Sequence, residues 1–95
     1  MDKILNNLGL CARARGLVSG ADIVIDGLRH NKVFLIFLAS DASDNTKKKI
    51  NDKATYYGCE VISNYTSSDL SIAIGKSGRM VLGITQKNFL KILKK

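Results

Sequence analysis

Seven consecutive apolar residues, VFLIFLA at positions 33–39, constrain the fold of this 95-residue chain more than any other feature. The run is far too short to cross a bilayer, which takes about 20 apolar residues. It is typical of a strand that is buried on both faces, in the middle of a sheet that helices cover. Turn-forming and helix-capping residues follow at positions 40–45, and three lysines come after Thr46. Because ligands of open α/β sheets bind beyond the carboxyl ends of strands, this turn is the first candidate for a functional site.

The remaining chain alternates between helix-like and strand-like segments. Apolar residues spaced three and four apart predict five helices, which begin near Asp2, Ser19, Asp44, Thr66 and Thr85. Strand-like segments lie between them, at positions 17–18, 33–39, 59–62 and 79–84. The alternation predicts the α/β class, as a three-layer α/β/α sandwich around a small mixed sheet of about four strands. A chain of this length has room for one core, so we expect residues 1–95 to form a single domain.

Local signals predict where several of these helices begin and end. Ser19 and Asp22 have the spacing of a capping box, and Thr85 is a candidate N-cap of the last helix. Gly58 and Gly75 are placed to end the third and fourth helices. In the third helix the spacing predicts that Tyr57 packs inward.

The balance of charge favours an anionic partner. The chain has a net charge of +7, and all eight acidic residues lie at or before Asp69, so the last quarter is purely basic. Such an oriented surplus is typical of nucleic-acid binding, while solubilisation by lysine is the alternative. Cys11 and Cys59 match no metal spacing and are expected to be reduced. With no signal pattern and no apolar segment of transmembrane length, we expect a cytoplasmic protein without a bound metal or cofactor.

Basic residues at three places are candidates for contact with nucleic acid. Lys47 and Lys48 are adjacent at the start of the third helix, where at most two of the three lysines face one phosphate track. Lys76 and Arg79 flank Ser77 and Gly78 in a loop that suits clamping of a sugar-phosphate backbone. The alternatives are a solvated lysine face and an ordinary surface turn. Arg13 and Arg15 lie just before the second helix, and they point the same way if the chain there is extended.

Several segments, taken in order, resemble a known family. They are ARARGLVSG at positions 12–20, LRHNK at 28–32, ASDAS at 39–43, YYG at 56–58 and LSIAIGK at 70–76. Their order and spacing are similar to those of the kink-turn RNA-binding ribosomal-protein family of the L7Ae and L30e types. The similarity is greatest to a small bacterial member of that family, and it covers roughly residues 3–90.

The resemblance implies the same α/β/α sandwich and an RNA surface formed by three segments. On this chain they are positions 20–26, 41–48 and 75–79, which contain the further candidate residues Gly20, Ala21, Asp22 and Ser43. Kink-turn binders of the family begin the second helix with Gly-x-Asn/Lys-Glu/Gln and carry a lysine one turn later. Here Asp22, Ile23 and Asp26 stand at the positions that depart from this pattern, so the usual contact by this helix is not expected.

The sequence therefore predicts a monomeric, non-catalytic protein that binds structured RNA, either kink-turn-like or ribosomal, and that has ribosomal proteins as possible partners. One alternative is a basic protein-interaction module in a ribonucleoprotein. A second is a small enzyme in which Asp41, Asp44 and Asp22 bind magnesium. The chain carries no Walker-type phosphate loop and no identifiable nucleophile or base to support that enzyme.

Overall fold

A computed structural model describes residues 2–94, which form one mixed sheet in the strand order β1-β4-β2-β3. The strands are β1 (Leu17–Ser19), β2 (Leu35–Leu38), β3 (Val61–Ile62) and β4 (Val81–Ile84). Strand β4 is antiparallel to both β1 and β2, whereas β3 is parallel to β2. The sheet is therefore mixed, and β1 and β3 lie at its two edges.

The helices cover the sheet in two groups. They are α1 (Lys3–Arg13), α2 (Ala21–Arg29), α3 (Asp44–Tyr57), α4 (Ser67–Ile74) and α5 (Leu90–Leu93), and a 3₁₀ turn at Lys87–Phe89 precedes α5. Helix α1 packs against α4 and α5, while α2 packs against α3. The three-layer α/β/α architecture with four strands, predicted from the alternation of segments, is confirmed. Within residues 2–94 no helix is long and apolar enough to cross a membrane.

The core is built around β2, all of whose residues are buried. Of the apolar run at 33–39 only Leu35–Leu38 forms a strand, yet Val33 and Ala39 are buried beside it. Side chains from both helix groups, including Leu8 and Ile50, complete the same core. The run was thus correctly identified as a buried central strand, although the strand is shorter than the run.

Several predicted helix ends are confirmed. The Ser43 hydroxyl caps α3 by accepting a hydrogen bond from the N–H of Thr46, and Thr66 and Asp69 form a capping box at the start of α4. Gly58 and Gly75 end α3 and α4 in the left-handed conformation that glycine adopts without steric strain.

Two predicted caps are wrong, and the sheet explains both. Ser19 pairs with Leu82 as the last residue of β1, so Gly20 becomes the N-cap of α2 with a φ of 105°. The N–H of Thr85 donates to the Gly16 carbonyl and extends the pairing of β1 with β4, so no helix begins there.

The expectation for the end of α3 is also wrong. Tyr57 does not lie on the buried face of the helix; it is 38% exposed and contacts the 80%-exposed ring of Tyr56 edge to face. The buried residues of α3 are Ala54 and Ile50, about one and two turns earlier.

The two cysteines are free thiols. Burial raises the pKa of Cys11 to about 11, so this thiol stays protonated and unreactive at neutral pH.

The central position of β2 predicts which isoleucines matter for stability. Ile36→Ala should lower the free energy of unfolding by about 2–5 kcal/mol, because Ile36 is fully buried between two pairing strands. The matched control is Ile72→Ala, which removes the same atoms from a side chain that is 67% exposed and should change stability by less than about 0.5 kcal/mol. Urea denaturation of both variants measures the difference, and equal losses would contradict the assignment of the core.

Candidate nucleic-acid interface

Three segments that are distant in sequence line one cleft of about 270 Å³, here named the α2–α3 cleft. Its residues are Gly20 and Ala21 at the start of α2, Thr46 in the first turn of α3, and the segment before β4 with its first residue. That last segment contributes Gly78, Arg79, Met80 and Val81. The cleft thus combines a helix N-terminus, a second helix start and a basic loop.

The N-terminus of α2 is open toward the cleft. Gly20 precedes the helix without any side-chain hydrogen bond to it, and its own N–H donates to the Val81 carbonyl at 2.9 Å. The first N–H groups of a helix have no partner inside the helix, so those that follow Gly20 are available to an acceptor. Together with the helix dipole, such a terminus favours an anion.

The start of α3 is held in place by the loop that leads into it. The Asp41 carboxylate accepts two hydrogen bonds from Ser67, one from its N–H at 2.7 Å and one from its hydroxyl at 2.8 Å. These bonds, the backbone one foremost, hold the pKa of Asp41 below its usual value. Asp41 therefore anchors this loop to α4, which gives its carboxylate a structural role.

The lysines of α3 differ in their surroundings. Lys47 is half-buried, and its charge helps to lower the pKa of Asp41, whereas Lys48 is exposed. Lys49 is committed to another partner, since its amine lies 2.8 Å from the Asp22 carboxylate on α2. This ion pair lowers the pKa of Asp22 through the hydrogen bond and the attraction between the charges. It also compensates the negative charge that Asp22 brings to the open end of α2.

The loop between α4 and β4 is fixed by a buried hydroxyl. Ser71, 6% exposed on α4, accepts a hydrogen bond from the backbone N–H of Arg79 at 2.9 Å. The Arg79 side chain is half-buried, and its Nε atom is buried without a hydrogen-bond partner among residues 2–94. The other basic residue of the loop, Lys76, is exposed. Arg79 is thus positioned by the fold and is not a freely mobile surface cation.

A second depression, of about 540 Å³, runs along the edge strand and is here named the β1 groove. It is lined by Arg13 at the end of α1 and by Arg15 just after it, by β1 itself, by Ile23 of α2 and by residues 74–76. The expectation of an extended chain at the two arginines is wrong, because Arg13 ends α1 and Arg15 has a left-handed φ of 57°. They line the same groove nonetheless.

The structure therefore divides most of the predicted residues between the α2–α3 cleft and the β1 groove. Gly20, Ala21, Gly78 and Arg79 share the α2–α3 cleft, and Ser43, Lys47 and Lys48 lie at the adjoining start of α3. Arg13, Arg15 and Lys76 line the β1 groove. Ser77 lies with Gly78 and Lys76 in a shallow depression beside α4, and Asp22 follows Gly20 in the first turn of α2.

Sequence reasoning missed four residues that shape these places. Thr46 and Met80 line the α2–α3 cleft, Ser71 holds Arg79, and Lys49 pairs with Asp22. Thr46 carried a usable signal, because it follows the Ser43 cap by three residues. The other contacts join separate elements and have no local signature. Within the described part of the chain, no three His, Cys, Asp or Glu side chains are grouped in a way that could hold a metal ion.

A family model and two similar proteins point to the same family. The model of the ribosomal protein L7Ae/L30e/S12e/Gadd45 family matches residues 2–94. A protein of Enterococcus faecium named RNA-binding protein YlxQ is 38% identical over 89 residues, which are 94% of this chain and 85% of that protein. The protein of the same name from Bacillus subtilis strain 168 is 42% identical over 82 residues, covering 86% and 82% of the two chains.

Comparison with solved structures supports the same fold. A protein of unknown function from Bacillus halodurans superposes with a TM-score of 0.95 at 38% identity, covering 99% of this chain and 95% of the other. The 15.5kD RNA binding protein of Giardia lamblia has a TM-score of 0.81 at 18% identity, with 97% and 79% covered. At that low identity the second similarity shows the fold alone.

The Asp41 anchor predicts a pH dependence of stability. The pKa of Asp41 is lowered in the folded state, so its contribution is complete above the unfolded pKa and disappears as the pH falls through the folded pKa. The melting temperature of Asp41→Asn should therefore lie below that of the wild type by a constant gap at about pH 5–7, and the gap should narrow progressively as the pH falls below about 4. Thermal melts at a series of pH values test this.

Ser67→Ala is the partner control for Asp41→Asn. It removes one of the two donors and keeps the backbone N–H, so it should give a smaller gap with the same pH profile. A gap that persists unchanged at pH 2 would show that Asp41 does not stabilise the fold through its charge.

Proposed function

This chain belongs to the ribosomal protein L7Ae/L30e/S12e/Gadd45 family, and we propose that it is a non-catalytic protein that binds a structured RNA in the α2–α3 cleft. The RNA is kink-turn-like or ribosomal, and ribosomal proteins are candidates for further partners. Family membership confirms the resemblance deduced from the sequence motifs. We further propose a cytoplasmic location, with which the free thiols of Cys11 and Cys59 agree.

The convergence of donors and cations in the α2–α3 cleft carries this proposal. The open N–H groups after Gly20 suit a phosphate oxygen, and the cationic side chain of Arg79 lines the same cleft. Lys47 and Lys48 add positive charge at the start of α3. The acceptor oxygens of an RNA backbone complement these groups, because each of the groups can only donate hydrogen bonds.

The walls of the cleft favour a folded RNA over a regular duplex. Met80 is 40% exposed in the cleft and offers an apolar surface against which an unpaired base packs. Gly20 and Gly78 carry no side chain, so a backbone can approach closely there. An RNA with unstacked bases and a sharply bent backbone presents an unpaired base to Met80 and its backbone to the two glycines at the same time.

The names of similar proteins support the same function. Two relatives that are 38% and 42% identical over most of their length are named RNA-binding proteins, and the Giardia protein of the same fold is an RNA binding protein. The sequence places the negative charge of Asp22 at the open end of α2, where it would repel RNA. The ion pair with Lys49 compensates this charge.

Binding of kink-turn RNA and of a straight duplex with equal charge tests the proposal directly. Fluorescence anisotropy at several salt concentrations should show tighter binding of the kinked RNA at every concentration. Lys47→Ala and Arg79→Ala should each weaken binding and lower the slope of log K against log salt by about one. Equal binding of both RNAs that depends wholly on salt would contradict specific recognition.

The matched control is Lys32→Ala, which removes the same charge at the opposite end of α2 and should leave the affinity nearly unchanged. The melting temperature of Arg79→Ala has to be measured as well, since its half-buried side chain contributes packing in addition to charge. An Arg79→Ala variant that stays folded and binds RNA like the wild type would place the interface elsewhere.

Substitutions of the two partners in the Asp22–Lys49 ion pair should change the affinity for RNA in opposite directions. Asp22→Asn should tighten RNA binding about threefold at low salt, because it removes a negative charge beside the open helix end and frees Lys49. Lys49→Ala should weaken binding, since it leaves Asp22 uncompensated. Glu60→Gln breaks a comparable pair, at 3.2 Å from Lys94, and serves as the control. Equal effects of Asp22→Asn and Glu60→Gln would show that only net charge matters.

A further inference from the structure

The edge strand β1 offers unpaired backbone groups to the β1 groove. Within residues 2–94, β4 is the strand that pairs with β1, and the other side of β1 has no neighbouring strand. The Gly16 carbonyl accepts from Thr85 and the Gly20 N–H donates to Val81, so the backbone groups of these residues point toward β4. Since these groups alternate along an antiparallel strand, those of Leu17 and Ser19 point outward.

The walls of the groove are apolar where they meet this edge. Ile23 of α2 is 57% exposed, and Ile74 near the end of α4 lines the groove on the other side. Leu17 and Val18 are half-buried at its floor. The groove therefore joins a row of backbone donors and acceptors to apolar surface on both flanks, which is the combination that recognises an added strand.

The rim of the groove is basic. Arg13, Arg15 and Lys76 are exposed there, no acidic residue lines the groove, and none of the three cations forms an ion pair with any residue in 2–94. An extended segment with acidic side chains complements this rim.

The conformation of Arg15 is a further observation that points to a ligand in the β1 groove. Its φ of 57° lies in the left-handed region, where glycine is the favoured residue after a helix and a long side chain is strained. Nothing in the hydrogen bonding of the turn requires an arginine, because the turn is closed by the backbone bond from the Gly16 N–H to the Cys11 carbonyl. The strain is accounted for when the guanidinium contributes to binding.

We propose that the β1 groove binds an extended acidic segment of a partner protein as an additional strand beside β1. This function goes beyond RNA binding and does not depend on it. A protein segment is favoured over RNA because the outward groups of Leu17 and Ser19 include carbonyls as well as N–H groups. A peptide backbone satisfies both kinds of group, whereas phosphate oxygens satisfy only the donors.

Labelled heptapeptides in which glutamate alternates with valine, isoleucine or leucine are the probes. Anisotropy at low salt should show binding, and the amide hydrogens of Leu17 and Ser19 should exchange more slowly in the complex. The same peptides with alternate amides N-methylated lose the donors of one edge and should bind much more weakly. Absence of binding by the whole set, or binding without protection of these two amides, would overturn the proposal.

Two variants separate the groove from the rest of the surface. Arg13→Glu combined with Arg15→Glu should weaken peptide binding by more than about tenfold, while Arg29→Glu combined with Lys32→Glu makes the same charge change elsewhere and should have a small effect. Arg15→Gly should keep or raise the melting temperature and still weaken the peptide. If Arg15→Gly leaves peptide binding unchanged, the role of the strained arginine is excluded.

Peptide binding in the β1 groove and RNA binding in the α2–α3 cleft can be tested separately. Arg79→Ala should weaken RNA binding and leave peptide binding unchanged, whereas Arg15→Gly should weaken peptide binding and leave RNA binding unchanged. If kink-turn RNA, and not the peptide, protects Leu17 and Ser19, the groove belongs to the RNA surface and the proposal is wrong.

Discussion

The antiparallel register of β2, β4 and β1 determines where every candidate binding segment lies. Leu38 at the end of β2 is opposite Val81 at the start of β4, and the N–H of Ala39 donates to the Met80 carbonyl. On the other side of β4, Gly20 donates to the same Val81. The turn after β2, the loop before β4 and the start of α2 therefore meet at one end of the sheet. Because β2 is buried, this register cannot slip without exposing core side chains, so the core fixes where these three segments lie relative to one another.

Several elements of the fold could be predicted from the sequence because they depend on local patterns. The buried strand at 35–38, the Ser43 cap, and the Thr66–Asp69 capping box each follow from residues that are close together in the chain. The errors have a different origin. Ser19 has the side chain of a cap, but its pairing with Leu82, 63 positions away, keeps it in a strand and passes the cap position to Gly20.

The same distinction holds within the candidate site. The positions of basic residues were evident from the sequence, but their environments depend on contacts between elements. Lys49 reaches Asp22 across 27 positions, and Ser71 of α4 holds the backbone of Arg79. Asp41 looked like a candidate ligand of magnesium, yet its carboxylate is engaged by Ser67. In each case a sequence pattern shows the polar group and does not show its partner, because the two lie in different segments of the chain.

The cleft and the groove adjoin each other between Ser19 and Gly20, but they present different chemistry. The start of α2 offers N–H groups alone, because the carbonyls of a first helical turn are engaged further along the helix. The outer edge of β1 offers N–H groups and carbonyls in alternation. A surface made only of donors selects anions, whereas an alternating edge selects another polypeptide backbone. The short stretch from Leu17 to Ala21 therefore carries two backbone surfaces with different hydrogen-bonding chemistry, separated by the change from strand to helix at a single glycine.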